Sequence, residues 1–198
     1  MNLEEITALE EEWLGKQGRL EHEWLQKVPP DRPKGHSLQQ LDRMGEETGV
    51  YDAWRRIFGE YVVLAREGNI EALKRAIFLV WFECAEPAWL SNTGVWGLDM
   101  ALVKEVLHMA NTMAKEDRLD AELQWMLPWY YMIADFYLRA EGLDDLRKAS
   151  EKDPHAFSHV FPKGCLRSTF DNRGQLGRYW SDLWDGANAD SRARGEFP

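Results

Sequence analysis

The chain has 198 residues, of which 44% are hydrophobic and 12% aromatic, and it carries a formal net charge of −10. This apolar content is typical of one packed globular domain and excludes an intrinsically disordered chain. Nucleic-acid binding needs Lys and Arg to neutralise phosphates, so the acidic balance argues against a nucleic-acid partner and suits a basic protein partner.

Hydrophobic residues recur at helical spacing along most of the chain. In chain order, the predicted helices span residues 3–24, 37–44, 51–67, 70–86, 99–116, 119–140, 143–152 and 175–184. Gly15 and Gly18 are expected to break the first helix, and Pro128 is expected to kink or split the long apolar one. No segment shows a convincing alternation of polar and apolar residues, which would indicate a β-strand.

The pattern predicts an all-α protein, a single-domain bundle of antiparallel helical hairpins with six to eight helices. The domain is predicted to span residues 1–184, followed by a polar, mobile tail over 185–198. The segment AREGNIEAL, residues 65–73, is echoed by AKEDRLDAE, residues 114–122. The echo indicates either short solenoid-like stacking or the ordinary chemistry of helix–turn–helix junctions.

The N-terminal segment is acidic and lacks the basic and apolar regions of a signal peptide. No uncharged apolar run approaches the ~20 residues that span a bilayer, so we expect a cytoplasmic protein without membrane contact. Cys84 and Cys165 are the only cysteines and suggest no disulfide framework. The basic neighbours of Cys165 predict a lowered thiol pKa.

Metal and cofactor motifs are incomplete. Glu105 and His108 form one Glu-x-x-His motif, but a di-iron carboxylate site needs two. His155 and His159 have helical spacing without a third ligand. Neither a Gly-x-Ser-x-Gly nucleophile elbow nor a phosphate-binding glycine loop is present, so we expect no metal or cofactor and favour a non-catalytic role.

The predicted partner-binding surface combines carboxylates with tryptophans. On a helical wheel, Glu83 and Glu86 lie away from the apolar face of 70–86, at the margin of a helix contact, as solvated, ion-paired or functional groups. Trp89 and Trp96 lie in the following connector, where tryptophans either plug a core or anchor a partner. Together with the Glu-rich N-terminal helix, these four residues form the predicted surface.

A ligand pocket is the first alternative. Asp135 lies among aromatic and aliphatic residues, where a bare carboxylate is strongly destabilising. It is either a structural acid that accepts hydrogen bonds or a general acid or base in an aromatic pocket. Tyr130, Tyr131 and Glu83 are the other candidate residues of that pocket.

The basic and aromatic segment over residues 161–180 is the second alternative. Arg173, Arg178 and Trp180 are its candidate anion-binding or nucleic-acid-binding residues. The same segment also fits a simpler role, in which its arginines dock onto the acidic helical body of the same chain.

These observations favour a protein-binding module, either an adaptor or a toxin-neutralising protein that meets a basic partner. The composition is similar to that of bacterial immunity proteins, which are small, acidic and helical. No sequence motif supports this similarity, so it remains an analogy of composition.

Overall fold

The computed structural model describes residues 1–27, 34–94, 97–139, 142–151, 161–162 and 165–193. Within these ranges the chain forms nine α-helices, which confirms the predicted all-α class. The α-helices are α1 (Leu3–Lys27), α2 (Lys34–Glu47), α3 (Val50–Arg66), α4 (Ile70–Ala85), α5 (Ala88–Ser91), α6 (Met100–Lys115), α7 (Ala121–Ile133), α8 (Asp144–Ser150) and α9 (Gly174–Ala193). Phe136–Arg139 and Arg167–Phe170 form short 3₁₀ helices. No helix among the described residues is long and apolar enough to cross a membrane.

Three helices, α1, α2 and α9, are longer than the sequence pattern predicts, and α2 spans Lys34–Glu47 where the pattern predicts 37–44. α1 continues through Gly15 and Gly18, so the expected break is absent. A glycine inside a helix costs about 1 kcal/mol, which the packing of the buried apolar stripe of α1 offsets. α9 extends beyond Trp184 to Ala193 and includes much of the segment predicted as a tail.

α4 occupies the centre of the fold. Every residue from Ala72 to Phe82 is buried, including Lys74 and Arg75. Helices α3, α5, α6, α7 and α9 all pack against it. Both sides of this helix are therefore covered by other helices.

An aromatic cluster joins α4, α7 and α9. Trp81 of α4 stacks on Tyr130 of α7, with ring centroids 4.6 Å apart. Trp180 of α9 packs against Trp125 of α7 at 4.4 Å. These rings fix the C-terminal helix to the centre of the domain.

Pro128 lies inside α7 and does not split it, although its missing N–H removes one helical hydrogen bond. The helix ends instead at Ile133, well before the predicted end at residue 140. Its backbone then turns through the 3₁₀ helix Phe136–Arg139.

The two similar segments end their helices in the same way. Gly68 and Asp117 have left-handed φ angles of 88° and 54°. The next residue in each case donates its N–H to the carbonyl five residues earlier, at 3.0 and 2.8 Å. The segments differ in where the next helix begins. Asn69 follows Gly68 directly and caps the N-terminus of α4, whereas Asp120 lies three residues after Asp117 and caps the N-terminus of α7. The similarity between the two segments is therefore that of two helix C-termini with the same geometry. The helix that ends at the second segment, α6, packs chiefly against α8.

Candidate functional site

Glu83 holds the connector between α5 and α6. Its Oε1 accepts hydrogen bonds from the Thr93 hydroxyl at 3.1 Å and from the N–H groups of Gly97 and Leu98 at 2.7 and 3.0 Å. Glu83 is half-buried, as its predicted position at the margin of a helix contact requires. One carboxylate oxygen thus satisfies three donors that the short connector leaves without helical partners.

The other predicted partner-binding residues lie in different environments. Glu86 follows α4 and is half-buried, and this burial raises the pKa of its carboxyl group. Trp89 is only 1% exposed, and its carbonyl oxygen accepts a hydrogen bond from Gln17 Nε2 at 2.7 Å. Trp89 is therefore a core plug and offers no exposed ring to a partner. Trp96 lies outside the described residues.

The residues predicted to line a pocket around Asp135 contact separate neighbours. Asp135 forms an ion pair with Arg139. Tyr130 is fully buried among aromatic rings, whereas Tyr131 donates a hydrogen bond to a carboxylate oxygen of Glu151 at 3.0 Å. Asp135 thus has the partner expected of a structural acid, and Tyr130 and Tyr131 have partners of their own.

A groove of about 430 Å³ lies elsewhere, between the α3–α4 turn and α6. Its lining is largely apolar, and Arg66 and Glu105 form an ion pair at its rim. The Glu105 carboxylate of the Glu-x-x-His motif thus has an arginine partner. Among the described residues, no group of three or more His, Cys, Asp or Glu side chains is placed to hold a metal ion.

The C-terminal arginines dock onto the acidic body of the chain, which confirms that prediction. Arg173 bridges the carboxylates of Glu71 and Glu122, at 2.6 and 2.5 Å. Burial lowers the pKa of this guanidinium, but the two carboxylates outweigh burial and raise its pKa overall. Arg178 pairs with Glu11 on α1, and Trp180 is 2% exposed.

The cysteines are not activated thiols. Burial raises the pKa of Cys165, so the predicted lowering by basic neighbours is wrong. Burial and the adjacent Glu83 carboxylate raise the pKa of Cys84 to about 11. Neither environment favours the thiolate that a nucleophile requires.

One side of α1 forms an exposed acidic surface, which we call the acidic face. Its residues are exposed carboxylates, namely Glu4, Glu5, Glu11, Glu12 and Glu23. They lie opposite the buried stripe of Ile6, Leu14 and Gln17, because successive helix residues are rotated by about 100°. Glu4, Glu12 and Glu23 have no hydrogen-bond or ion-pair partner among the described residues.

Of the basic side chains that the structure describes, eleven form ion pairs with carboxylates, and one of these, Arg178, pairs with Glu11 of the acidic face. The eleven are Arg55, Arg66, Lys74, Arg75, Arg118, Arg139, Arg147, Lys148, Arg167, Arg173 and Arg178. Arg19 is exposed and lies between Glu12 and Glu23 on the same side of α1, so the acidic face is interrupted by one basic residue.

A cluster of buried polar residues on the other side of α1 was not predicted from the sequence. Glu10 is 1% exposed and accepts a hydrogen bond from Tyr61 at 2.6 Å, with Arg75 at 3.4 Å. Loss of hydration raises the pKa of Glu10 to about 7, although Tyr61 and Arg75 both act to lower it. Glu10 lies four residues from both Ile6 and Leu14, so a helical wheel of α1 would have placed it on the buried stripe. Its glutamate neighbours conceal this position in the sequence.

Comparisons with known proteins assign no family to the chain. No protein-family model, curated protein or solved structure matches it. We therefore infer a function from the structure alone, and we base it on the acidic face.

Proposed function

We propose that the protein is a non-catalytic binding module of the cytoplasm, an immunity-type or adaptor protein that engages a basic protein through the acidic face. The observation that carries this proposal is the row of exposed carboxylates on α1. Glu4, Glu12 and Glu23 face water without partners among the described residues. A basic surface on another protein would supply the missing counter-charges.

The rigidity of α1 supports this role. A helix of 25 residues is about 37 Å long, and it holds its charges in a fixed row. Opposite charges on a partner accelerate diffusional encounter and favour one orientation of docking. Because the side chains are mounted on a regular element, little backbone entropy is lost when a partner binds.

The proposed surface is limited to one side of α1. Leu25 is 57% exposed, but it lies about 200° around the helix from Glu23 and does not belong to the acidic face. Charges on such a surface contribute mainly to the rate and specificity of binding. The proposed surface therefore comprises the acidic face alone, and it leaves out the buried Trp89 and Glu83, which holds the α5–α6 connector.

The alternative functions have less support. Asp135 is ion-paired with Arg139, and Arg173 is ion-paired with two carboxylates. A ligand or a phosphate at either place would first have to displace a partner from within the chain. Glu4, Glu12 and Glu23 of the acidic face require no such exchange.

The experiment is affinity capture from the native host with the purified protein and two matched double variants. E12Q/E23Q neutralises two carboxylates of the acidic face, and E47Q/E67Q neutralises two exposed carboxylates elsewhere. We expect a basic protein to be captured by the wild type and by E47Q/E67Q at about 50 mM salt, and to be lost with E12Q/E23Q. Raising the salt to about 500 mM should release it, because ions screen exposed charges.

Equal capture by both double variants would contradict the proposal, since the location of the charge would then not matter. Failure of the wild type to capture any basic protein at low salt would also count against it. Circular dichroism of the three proteins checks that both double variants retain the helical fold.

A further inference from the structure

Another groove borders the acidic face, where α1 meets the beginning of α9. It consists of two adjoining cavities of about 390 and 360 Å³, and Glu11 and Asn172 line both of them. The first cavity lies along α1, and the second lies along the first turns of α9. We call the two cavities together the α1–α9 groove.

Arg75 fixes the two walls of this groove. Its guanidinium donates hydrogen bonds to Thr7 Oγ1 on α1 at 2.7 Å and to the carbonyl oxygen of Asn172 at 3.2 Å. Arg75 itself is buried, and its charge is balanced by Glu10 and Glu71 at 3.4 and 2.9 Å. Because these contacts already hold the walls together, a partner that enters the groove would not have to order them.

The first cavity has the shape and polarity of a site for a long cationic side chain. Four of its lining residues have the i, i+3, i+4, i+7 spacing that places them on one side of α1, namely Glu4, Thr7, Ala8 and Glu11. The two short side chains leave a recess between the two carboxylates. Leu3 and Ala8 give the cavity an apolar part. The methylene groups of an arginine or lysine can pack there while the charged end reaches a carboxylate.

The second cavity contains a buried hydroxyl group without a partner. Ser181 on α9 is 6% exposed and lines this cavity, and its hydroxyl forms no hydrogen bond with any residue that the structure describes. A buried polar group that lacks a partner is uncommon and costs free energy. The second cavity therefore offers a hydrogen-bonding group to a molecule that enters it.

The charges that remain unpaired in the groove are negative. Every arginine that lines it forms ion pairs with carboxylates of the same chain, namely Arg75, Arg167, Arg173 and Arg178. Glu4 lines the first cavity and Asp182 lines the second, and neither has an ion-pair or hydrogen-bond partner among the described residues. The groove therefore complements a cation in each cavity and disfavours an anion such as phosphate.

We propose that the α1–α9 groove binds an extended basic segment of the protein partner. One cationic side chain of this segment lies in the recess between Glu4 and Glu11, a second lies at Asp182, and a polar group between them meets the Ser181 hydroxyl. This proposal rests on the proposed function, because it names the part of the partner that α1 receives. It adds a defined site to the charge attraction of the acidic face.

A fluorescein-labelled hexa-arginine peptide serves as the probe, and fluorescence anisotropy at about 50 mM salt gives its Kd. Ala8→Leu fills the recess without changing the charge of the protein, and Ala101→Leu adds the same side chain at an exposed position of α6 outside the groove. We expect Ala8→Leu to raise the Kd about fivefold, as the loss of one exposed ion pair would, and Ala101→Leu to leave it unchanged. Equal Kd values for the two variants would overturn the proposal. Leucine is a good helix former, and circular dichroism checks that both variants are folded.

Removal of the two unpaired charges gives the second measurement. E4Q/D182N should raise the Kd of the peptide about tenfold, because each cavity loses its free carboxylate. E47Q/E67Q has the same loss of charge outside the groove and should raise the Kd about twofold at most. The same Kd for both double variants would show that only the net charge matters, and the groove would be refuted.

The same peptide separates this proposal from the proposed function. E12Q/E23Q neutralises carboxylates of the acidic face that do not line the groove. If E12Q/E23Q weakens binding while Ala8→Leu and E4Q/D182N bind like their controls, the acidic face is retained and the groove is refuted. If Ala8→Leu and E4Q/D182N weaken binding while E12Q/E23Q does not, the groove is supported and the remainder of the acidic face is not required. If none of these variants weakens binding, both proposals are refuted.

Discussion

At the scale of single residues, one oxygen of Glu83 determines how the α5–α6 connector is held. Its three hydrogen bonds come from residues 93, 97 and 98, which have no helical ladder to join. The pairing is half-buried, so water replaces it poorly. The sequence predicted Glu83 as a partner-binding residue, whereas in the structure its carboxylate holds the α5–α6 connector in place.

Replacement of Glu83 by Ala should lower the free energy of unfolding by about 2–4 kcal/mol, because three donors lose a charged acceptor. Glu83→Gln should lose less, since its amide oxygen can still accept. Urea titration followed by far-UV circular dichroism measures both. Glu86→Ala is the control, because Glu86 follows the same helix without a described side-chain hydrogen bond. If Glu83→Ala and Glu86→Ala had the same small effect, this role of Glu83 would be refuted.

At the scale of helices, α9 is attached through a buried ion pair network and an exposed ion pair. Arg173 has 11% of its side chain exposed and bridges Glu71 and Glu122. Glu122 has a lowered pKa because hydrogen bonds from Arg173 and Lys74 outweigh its loss of hydration. Arg178, about half exposed, pairs with Glu11 at the surface.

Arg173→Ala should therefore destabilise the protein by about 2–3 kcal/mol, because its charged hydrogen bonds to two partly buried carboxylates are lost. The loss is limited because Glu71 keeps Arg75 and Glu122 keeps Lys74 as partners. Arg178→Ala should cost at most about 1 kcal/mol, because water and salt already screen its ion pair. Thermal unfolding of the two variants at matched pH gives the comparison. Similar small losses for both would show that the network does not anchor α9.

At the scale of the whole molecule, the first and last helices are parts of one packed unit. α1 contacts α9 directly through Glu11 and Arg178, and the aromatic cluster ties α9 to α4 and α7. Contacts between segments this far apart in sequence make unfolding cooperative, because neither segment keeps its packing without the other.

We expect one transition in urea, with coincident midpoints from far-UV circular dichroism and from tryptophan fluorescence. The circular dichroism follows all helices, whereas the fluorescence sums over ten tryptophans, of which Trp81, Trp125 and Trp180 lie in the α4–α7–α9 contacts. Midpoints that differ between the two signals would contradict a single cooperative transition.

The sequence alone determined the helical class, most helix boundaries and the acidic face of α1. Each of these depends on residues three or four positions apart, whose spacing already places them on one side of a helix. Its predictions failed where a boundary depended on tertiary packing, as at Gly15 and Gly18 in α1 and beyond Trp184 in α9.

Only the tertiary structure decided which polar residues are buried and what they contact. Arg173 reaches Glu71 across 102 positions of the chain, and Glu10 meets Tyr61 across 51. No local pattern records such pairs, because each group is stable inside the protein only when folding delivers its distant partner. The same reason separates Glu83 and Trp89, whose partners come from other segments, from Glu4, Glu12 and Glu23 of α1, whose side chains have no partner among the described residues.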